Sequence, residues 1–391
     1  MSLENRLDRI LGLDQQQSRI FKTLAQKKEI DWAKPTIDII PEPNRKPKNA
    51  FCGDSLGGKI AEMIGKLGIP CNFVTATDSA AIQIFHFNLK NLPDIAKLGR
   101  AVKNLELLLG CDVIQGGAVF GDFSLQINKD NRDTVYFKDA LWAIEQTPFN
   151  FVIGQRIDGE YVQMTLKQMV HMLVGGETRS GKSVAKLSML TSLLYNTPPN
   201  MLELYLADFK KVEFTAFEDL PHLAAPIIND TKTLTRTILQ LVAIMGERYK
   251  IMQKFGLQEV DENCPHILFI IDEFADAISQ AKQQIEPPLK RLLKMGRAAG
   301  IHVIISTQRP TVDIVTGSIK ANMPTIAGLK TNTAMSSRVI VDETGLEKLA
   351  GLGDCLFKRI SGMGKLERLQ FPFIDTKTIK AVVDFWAMQD K

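Results

Sequence analysis

The sequence predicts an α/β protein whose larger part is a mostly parallel, doubly wound sheet. Short apolar runs alternate with helical segments such as 231–254 and 286–299, a pattern typical of a sheet with helices on both faces. One run leads directly into a glycine-rich turn that opens a helix. The runs interpreted as buried parallel strands are residues 170–176, 202–208, 266–273, 301–308 and 325–330.

Length and composition describe an ordinary globular protein. The chain has 391 residues, of which 45% are hydrophobic and 24% are charged. This length exceeds that of one typical core and predicts two or three domains. The net charge of +4 neither requires nor excludes a nucleic-acid partner, because a basic surface can be local.

Cysteine usage and hydropathy predict a cytoplasmic protein without a membrane segment. No two of the five cysteines form a CxxC pair, so neither a zinc site nor a disulfide framework is predicted. Scattered single cysteines are typical of a reducing compartment. No stretch approaches the roughly 20 apolar residues that span a bilayer. The acidic N-terminus lacks the apolar region of a signal peptide.

Four segments are predicted along the chain. Residues 1–48 are expected to form an amphipathic packing or oligomerisation helix and a proline-rich linker. Residues 49–150 are predicted to form a small α/β domain, 151–375 the larger sheet, and 376–391 a C-terminal tail. Within the small domain we expect helices at 57–67 and 92–109 and strands at 71–77, 81–87, 113–119 and 123–127.

The turn at 176–183 matches the phosphate-binding pattern G-x-x-x-x-G-K-[ST] in full. Its glycines let backbone N–H groups face phosphates, and the following helix presents its positive end to the anion. Lys182 is expected to reach the β- and γ-phosphates of ATP, and Ser183 to hold Mg²⁺. The alternative is a glycine-rich turn that binds no ligand. The residues expected to bind the nucleotide are Gly176, Glu177, Thr178, Arg179, Ser180, Gly181, Lys182, Ser183 and Val184.

A second motif places two acids after the apolar strand predicted at 266–271. In open α/β sheets, ligands lie at the carboxyl ends of the strands. Asp272 is therefore expected to bind Mg²⁺, and Glu273 to orient and deprotonate the attacking water. Together with the phosphate-binding turn, this pair indicates ATP hydrolysis rather than nucleotide binding alone.

The next strand ends in Thr307-Gln308-Arg309-Pro310. A glutamine at this position can sense the γ-phosphate or place the water, so Gln308 is a further candidate catalytic residue. From these residues alone, a plain polar turn before proline remains an equal alternative.

Taken together, these residues resemble the FtsK/SpoIIIE DNA translocases, within the HerA–FtsK superfamily. The resemblance spans roughly 150–375 and, more weakly, the small domain. It implies a RecA-like P-loop motor that forms a hexameric ring around double-stranded DNA, with ATP bound between subunits. The matching stretches are HMLVGGETRSGKS, ADFKKVEFTAFEDLPHL, GERYKIMQKFG, FIIDEFAD, LLKMGRAAGIHVIISTQRPTVDIVTGSIKANMPT and SSRVIVDETGLEKLAGLGDCLF.

The resemblance also implies roles for residues outside the phosphate motifs. Arg297 matches an arginine finger that reaches the ATP of a neighbouring subunit. Without the resemblance, the favourable helix dipole would explain an arginine at this helix end. Thr307, Arg309 and Lys320 match positions that face the pore and touch DNA phosphates, contacts that carry no sequence information.

The chain also departs from the family pattern. Another pore lysine of the family falls near Ala334, and Lys210 and Lys211 are secondary candidates for DNA contact. The chain shows no membrane-spanning region, and residues 375–391 are too short for the family's winged-helix module. We therefore expect neither septum anchoring nor the reading of orienting DNA sequences.

Two other functions stay open at this point. A conjugative coupling or protein-export motor of the same superfamily would use the same ATP site on a different substrate. Such export motors usually carry membrane segments and several motor modules. A non-enzymatic clamp would close on ATP without hydrolysing it, and Glu273 argues against that function.

Overall fold

The computed structural model describes residues 32–45, 53–90, 95–111, 113–115, 122–129, 131–260, 264–360 and 364–389. The helix expected within residues 1–30 lies outside them. The strands are β1 (Cys71–Asp78), β2 (Ile82–Leu89), β3 (Val113–Gln115), β4 (Asp122–Asn128), β5 (Asn150–Arg156), β6 (Tyr161–Thr165), β7 (His171–Gly175), β8 (Leu202–Ala207), β9 (His266–Ile271), β10 (Ile301–Thr307), β11 (Thr325–Leu329), β12 (Asp354–Lys358) and β13 (Leu366–Gln370). The α-helices are α1 (Gly53–Lys66), α2 (Ile95–Leu109), α3 (Phe137–Trp142), α4 (Leu166–Met169), α5 (Lys182–Asn196), α6 (Thr231–Phe255), α7 (Phe274–Met295), α8 (Gly317–Lys320), α9 (Ala334–Val341) and α10 (Thr376–Gln389).

The small unit is a four-stranded antiparallel sheet, in the order β1-β2-β4-β3, packed against α1 and α2. Strand β2 alternates between two environments. Phe85 and Phe87 lie in the core shared with the helices, whereas Ile82 and Ile84 pack with Ala350 of the larger unit. Each element predicted here is present within the described residues, whereas residues 92–94 of one predicted helix and 116–119 of one predicted strand lie outside them.

The larger unit is built on a nine-stranded sheet in the order β6-β5-β13-β12-β11-β7-β10-β9-β8. The five strands from β11 to β8 are parallel, and they are the five apolar runs predicted from the sequence. Strands β12, β13, β5 and β6 continue the sheet in antiparallel fashion. The predicted doubly wound α/β fold is confirmed, and the antiparallel extension is an addition to it.

Both faces of the parallel strands are buried, which is why their sequences are continuously apolar. In β9, Leu268 and Ile270 face a core shared with α5 and α10. The alternate residues Ile267 and Phe269 face a second core shared with α6 and α7. This arrangement brings the carboxyl ends of β7, β9 and β10 to one edge of the sheet.

The larger unit takes in residues outside 151–375. Phe137 and Leu141 of α3, which the sequence assigned to the small domain, are buried in the core of the larger sheet. The segment expected to be a tail forms α10, in which Trp386 is fully buried and donates to the carbonyl oxygen of Leu194 at 2.9 Å. Its apolar face packs on α5, so these residues belong to the fold rather than extending from it.

Candidate active site

The phosphate-binding turn joins β7 to α5, as the motif predicts. Gly181 has a φ of 96°, and a Cβ atom there would lie 2.2 Å from the backbone nitrogen of Gly353. The same Gly353 N–H donates to the carbonyl oxygen of Ser180 at 2.8 Å. Only glycine fits this position, because the conformation is left-handed and the neighbouring backbone leaves no space for a side chain.

Lys182 lies in the same pocket as the two acids. Its side chain is 4% exposed, and its Nζ lies 3.6 Å from Glu273 Oε2 and 3.9 Å from Asp272 Oδ1. Nζ also donates to the Ser306 hydroxyl at 3.3 Å. Burial lowers the pKa of Lys182 despite the nearby carboxylates. The structure thus brings together three residues from two motifs that are about 90 residues apart in the sequence.

Asp272 is held in a fixed orientation at the end of β9. Its Oδ1 accepts hydrogen bonds from the Ser306 hydroxyl at 2.7 Å and from Lys186. Burial alone would raise the pKa of Asp272, but Lys186 and Lys182 outweigh it and hold the pKa below its usual value. The carboxylate therefore stays ionised, as a cation ligand must be.

Glu273 adopts a strained backbone conformation, with φ 46° and ψ 64°, and its side chain is buried. The Gln308 N–H donates to both carboxylate oxygens at 3.1 Å, and the Thr307 hydroxyl donates to Oε1 at 3.1 Å. These contacts fix the carboxylate between β9 and β10. Because non-glycine residues rarely hold this conformation, the strain is consistent with a functional position.

Gln308 connects the end of β10 to the phosphate-binding turn. Its side-chain oxygen accepts a hydrogen bond from the Thr178 hydroxyl at 3.1 Å. A ligand that enters the turn therefore meets Gln308 as well as Glu273.

The hydroxyl of Ser183 donates to a residue that sequence reasoning missed, Glu213. Asp208, at the end of β8, folds the loop that carries Glu213, since its carboxylate accepts the N–H groups of Val212 and Glu213 at 2.8 Å each. Lys186 and Ser306 were also missed. The sequence holds one signal for Lys186, its position one helical turn after Lys182.

Ser183 and Asp272 supply the hard oxygen ligands that Mg²⁺ prefers. Across the described ranges, no group of three His, Cys, Asp or Glu side chains could hold a metal ion alone. Magnesium typically binds through one or two protein oxygens, with waters and substrate phosphates as further ligands. The residues present therefore fit Mg²⁺ bound together with a nucleotide.

The remaining residues of the predicted nucleotide site surround this pocket. Glu177 accepts the N–H of Asn332 at 2.8 Å, which ties the turn to the segment after β11. Arg179 is exposed, with a φ of 67°. Val184 packs partly against the core beneath α5, and Gly176 is buried at the end of β7.

Arg297 lies near the amino end of β10, whereas the pocket lies at the carboxyl end of the same strand. It is exposed in the turn between α7 and β10, and its carbonyl oxygen accepts the N–H of Gly300 at 3.0 Å. The length of β10, about 20 Å from Ile301 to Thr307, separates this turn from the pocket. Arg297 is thus remote from its own chain's phosphate-binding turn, as an arginine that acts on a neighbouring subunit must be.

Of the three residues predicted to face DNA, Thr307 and Lys320 are buried or largely buried in this structure. Thr307 is fully buried, and its hydroxyl donates to Glu273 and accepts the Arg309 N–H, so it helps to position the acid. Lys320 is largely buried and donates to the Val339 carbonyl at 2.7 Å and to Asp342 at 2.8 Å. Its ammonium group binds a backbone carbonyl in the last turn of α9, where a cation is favoured. Arg309 is exposed.

This chain is similar in sequence and in fold to known proteins. A model of the FtsK/SpoIIIE family matches residues 135–266 and 258–312. The DNA translocase FtsK of Campylobacter jejuni is 32% identical over 386 residues, covering 92% of this chain and 40% of that protein. The FtsK of Helicobacter pylori strain J99 is 36% identical over 287 residues, covering 70% of this chain and 34% of that protein. The chain spans less than half the length of these two relatives.

Solved structures show the same fold. The conjugation coupling protein TcpA of pCW3, in its monomer form with ATPγS, aligns with a TM-score of 0.58 at 22% identity, over 82% of this chain and 94% of that one. The cytoplasmic domain of the type VII secretion ATPase EccC of Thermomonospora curvata aligns with a TM-score of 0.55 at 22% identity. The alignment covers 62% of this chain and 31% of that one. Among the helices described here, none is long and apolar enough to cross a membrane. The P-loop ATPase fold, the family model and the curated relatives agree, and the chain belongs to the FtsK/SpoIIIE family.

Proposed function

We propose that this chain is an ATP-driven translocase of double-stranded DNA, which works as a hexameric ring in the cytoplasm and hydrolyses ATP at its subunit interfaces. The observation that carries the proposal is the convergence of Lys182, Asp272 and Glu273 in one buried pocket beside a phosphate-binding turn. The names of the curated relatives, which are DNA translocases, support DNA as the cargo.

The residues of the pocket would divide the chemistry of hydrolysis between them. Lys182 would exchange its contacts with the carboxylates for the β- and γ-phosphates of ATP. Ser183 and Asp272 would hold Mg²⁺, which neutralises negative charge on the phosphates when it is bound. Glu273 would orient the attacking water and take its proton. Its contacts with Thr307 and Gln308 keep the carboxylate in place for that step.

Two further residues would link hydrolysis to the ring. Gln308, bonded to Thr178, would respond to the γ-phosphate from the end of β10. Arg297 would act across the interface, where an arginine supplied by a neighbour stabilises the charge of the transition state. Its position near the amino end of β10, away from the pocket of its own chain, supports this assignment.

DNA contact would begin directly beside the catalytic strand. Arg309 is exposed and follows Gln308 in the chain, so a phosphate contact there is adjacent to the residue that responds to ATP. Lys210 and Lys211 are also exposed, on the loop that carries Glu213. Contacts of this kind recognise the phosphate backbone and not the sequence, as a motor that passes any DNA requires.

A conjugative coupling or protein-export motor is the second candidate. The fold similarity to TcpA extends over 82% of this chain, whereas the secretion ATPase EccC matches 62%. At 22% identity these matches describe the fold alone. The sequence relatives at 32% and 36% identity favour DNA translocation.

The decisive experiment measures ATP turnover without DNA, with single-stranded DNA and with long duplex DNA, at two salt concentrations. We expect turnover to rise several-fold with duplex DNA at low salt, and the rise to shrink as salt increases, because phosphate contacts release counterions. Glu273→Gln provides the background rate. Turnover that duplex DNA leaves unchanged at low salt would refute translocation and favour the second candidate.

A further inference from the structure

A second lysine, Lys186, lies in the pocket beside Lys182. Its side chain is 1% exposed, and its Nζ donates to Asp272 Oδ1. The same nitrogen lies 5.7 Å from the centre of the Phe214 ring. Burying an ammonium group is unfavourable unless it is paired, so Asp272 and the aromatic face account for its stability there.

Lys186 reaches this place because of helix geometry. It follows Lys182 by four residues in α5, and residues four apart lie on the same face of a helix. That face is directed at the end of β9, where Asp272 stands. The phosphate-binding pattern itself specifies no lysine at this position.

The charges around Lys186 indicate what it does. Lys182 interacts electrostatically with three carboxylates, those of Glu213, Asp272 and Glu273. It also interacts with the ammonium group of Lys186. With both lysines the pocket carries one net negative charge, and without Lys186 it would carry two. A nucleotide polyphosphate entering such a pocket is repelled by Asp272 unless a cation offsets that charge.

We infer that Lys186 is a positioning residue that offsets the charge of Asp272, so that a nucleotide can bind before magnesium is in place. The inference rests on the proposed nucleotide site. Lys186 acts through Asp272: it holds the carboxylate against α5 and lowers the repulsion that free phosphates meet. When magnesium accompanies the nucleotide, the metal itself offsets the carboxylate, and Lys186 contributes less.

The test is a titration with a fluorescent, non-hydrolysable ATP analogue, performed with excess Mg²⁺ and with EDTA. The variant Lys186→Met keeps the length of the side chain and removes its charge. We expect its affinity for the metal-free analogue to fall at least tenfold more than its affinity for the magnesium complex, a difference of about 1.4 kcal/mol. Lys254→Met, at the exposed carboxyl end of α6, is the matched control and should change neither affinity.

A double variant, Lys186→Met with Asp272→Asn, keeps the result interpretable if the single variant folds poorly. It removes both charges, and we expect it to bind the metal-free analogue within about threefold of the wild type. Equal losses with and without magnesium in Lys186→Met, or no recovery in the double variant, would overturn the inference. If the wild type binds the analogue under neither condition, the proposed function fails first and the inference with it.

Discussion

Replacing Glu273 with glutamine tests the proposed chemistry most directly, because the contacts of this side chain separate its structural and catalytic roles. Oε1 accepts from both Thr307 and Gln308, and a glutamine carbonyl oxygen in the same place keeps both hydrogen bonds. The amide nitrogen then takes the place of Oε2, which lies 3.6 Å from Lys182 Nζ and accepts a second hydrogen bond from the Gln308 N–H at 3.1 Å. The variant loses this second hydrogen bond, one attraction to a lysine and its ability to accept a proton.

We therefore expect a small structural effect and a large catalytic one. Loss of a hydrogen-bonded charge contact predicts a fall of about 1–3 kcal/mol in the free energy of unfolding. Loss of a general base predicts a fall in kcat of about 10²–10⁴-fold, equivalent to about 2.7–5.4 kcal/mol in the barrier. Nucleotide affinity should change little, since no phosphate contact is removed.

The assay is steady-state ATP turnover at saturating duplex DNA, together with binding of a non-hydrolysable analogue. Glu62→Gln, on the exposed face of α1, is the control and should retain full turnover. Turnover by Glu273→Gln within threefold of the wild type, with binding intact, would show that another group activates the water. Binding of the analogue without measurable turnover in either the wild type or the variant would instead restore the nucleotide-gated clamp as the better account.

Three other predictions follow from the structure. Arg297→Ala should bind ATP yet hydrolyse it at least tenfold more slowly, and mixing it with Glu273→Gln protein should restore part of the turnover; no restoration in rings that exchange subunits would contradict action across an interface. Trp386→Ala should lower the free energy of unfolding by about 3–5 kcal/mol in urea titrations, because it empties a fully buried site, and a loss below 1 kcal/mol would exclude α10 from the core. Burial lowers the pKa of His302 to about 3 and of His266 to about 4, so protons bind the unfolded chain preferentially between pH 6.5 and 4. Stability should therefore fall with decreasing pH by up to about 1.4 kcal/mol per unit for each histidine, and His302→Gln should flatten the slope measured by urea unfolding at pH 7, 6 and 5.

The parallel strands and both phosphate motifs could be predicted from the sequence, because each depends on a local pattern. A strand buried on both faces is continuously apolar, and the phosphate-binding turn needs its glycines, lysine and serine in one contiguous run. The same property hides the surroundings of Thr307 from a reading of the sequence. Strand β10 is buried throughout, so its sequence has no alternation that reveals which neighbour a given side chain meets.

Other features depend on contacts between distant segments and left no local pattern. Glu213 reaches Ser183 only because Asp208 folds the intervening loop. The sequence predicts helix α7 over residues 286–299. It instead starts at Phe274 and passes through a break at Ala281, where φ is −145° and ψ is 37°.

The small domain and the phosphate-binding turn are joined through one backbone segment. Gly353 donates to the turn at Ser180, and the next residue, Asp354, forms a buried ion pair with Arg368 at 2.7 Å. Arg368 also donates to Gln126 of β4 at 3.0 Å. Breaking a buried ion pair costs about 3–5 kcal/mol, so this connection resists separation. Three successive hydrogen-bonded contacts thus link Ser180 of the phosphate-binding turn to Gln126 of β4.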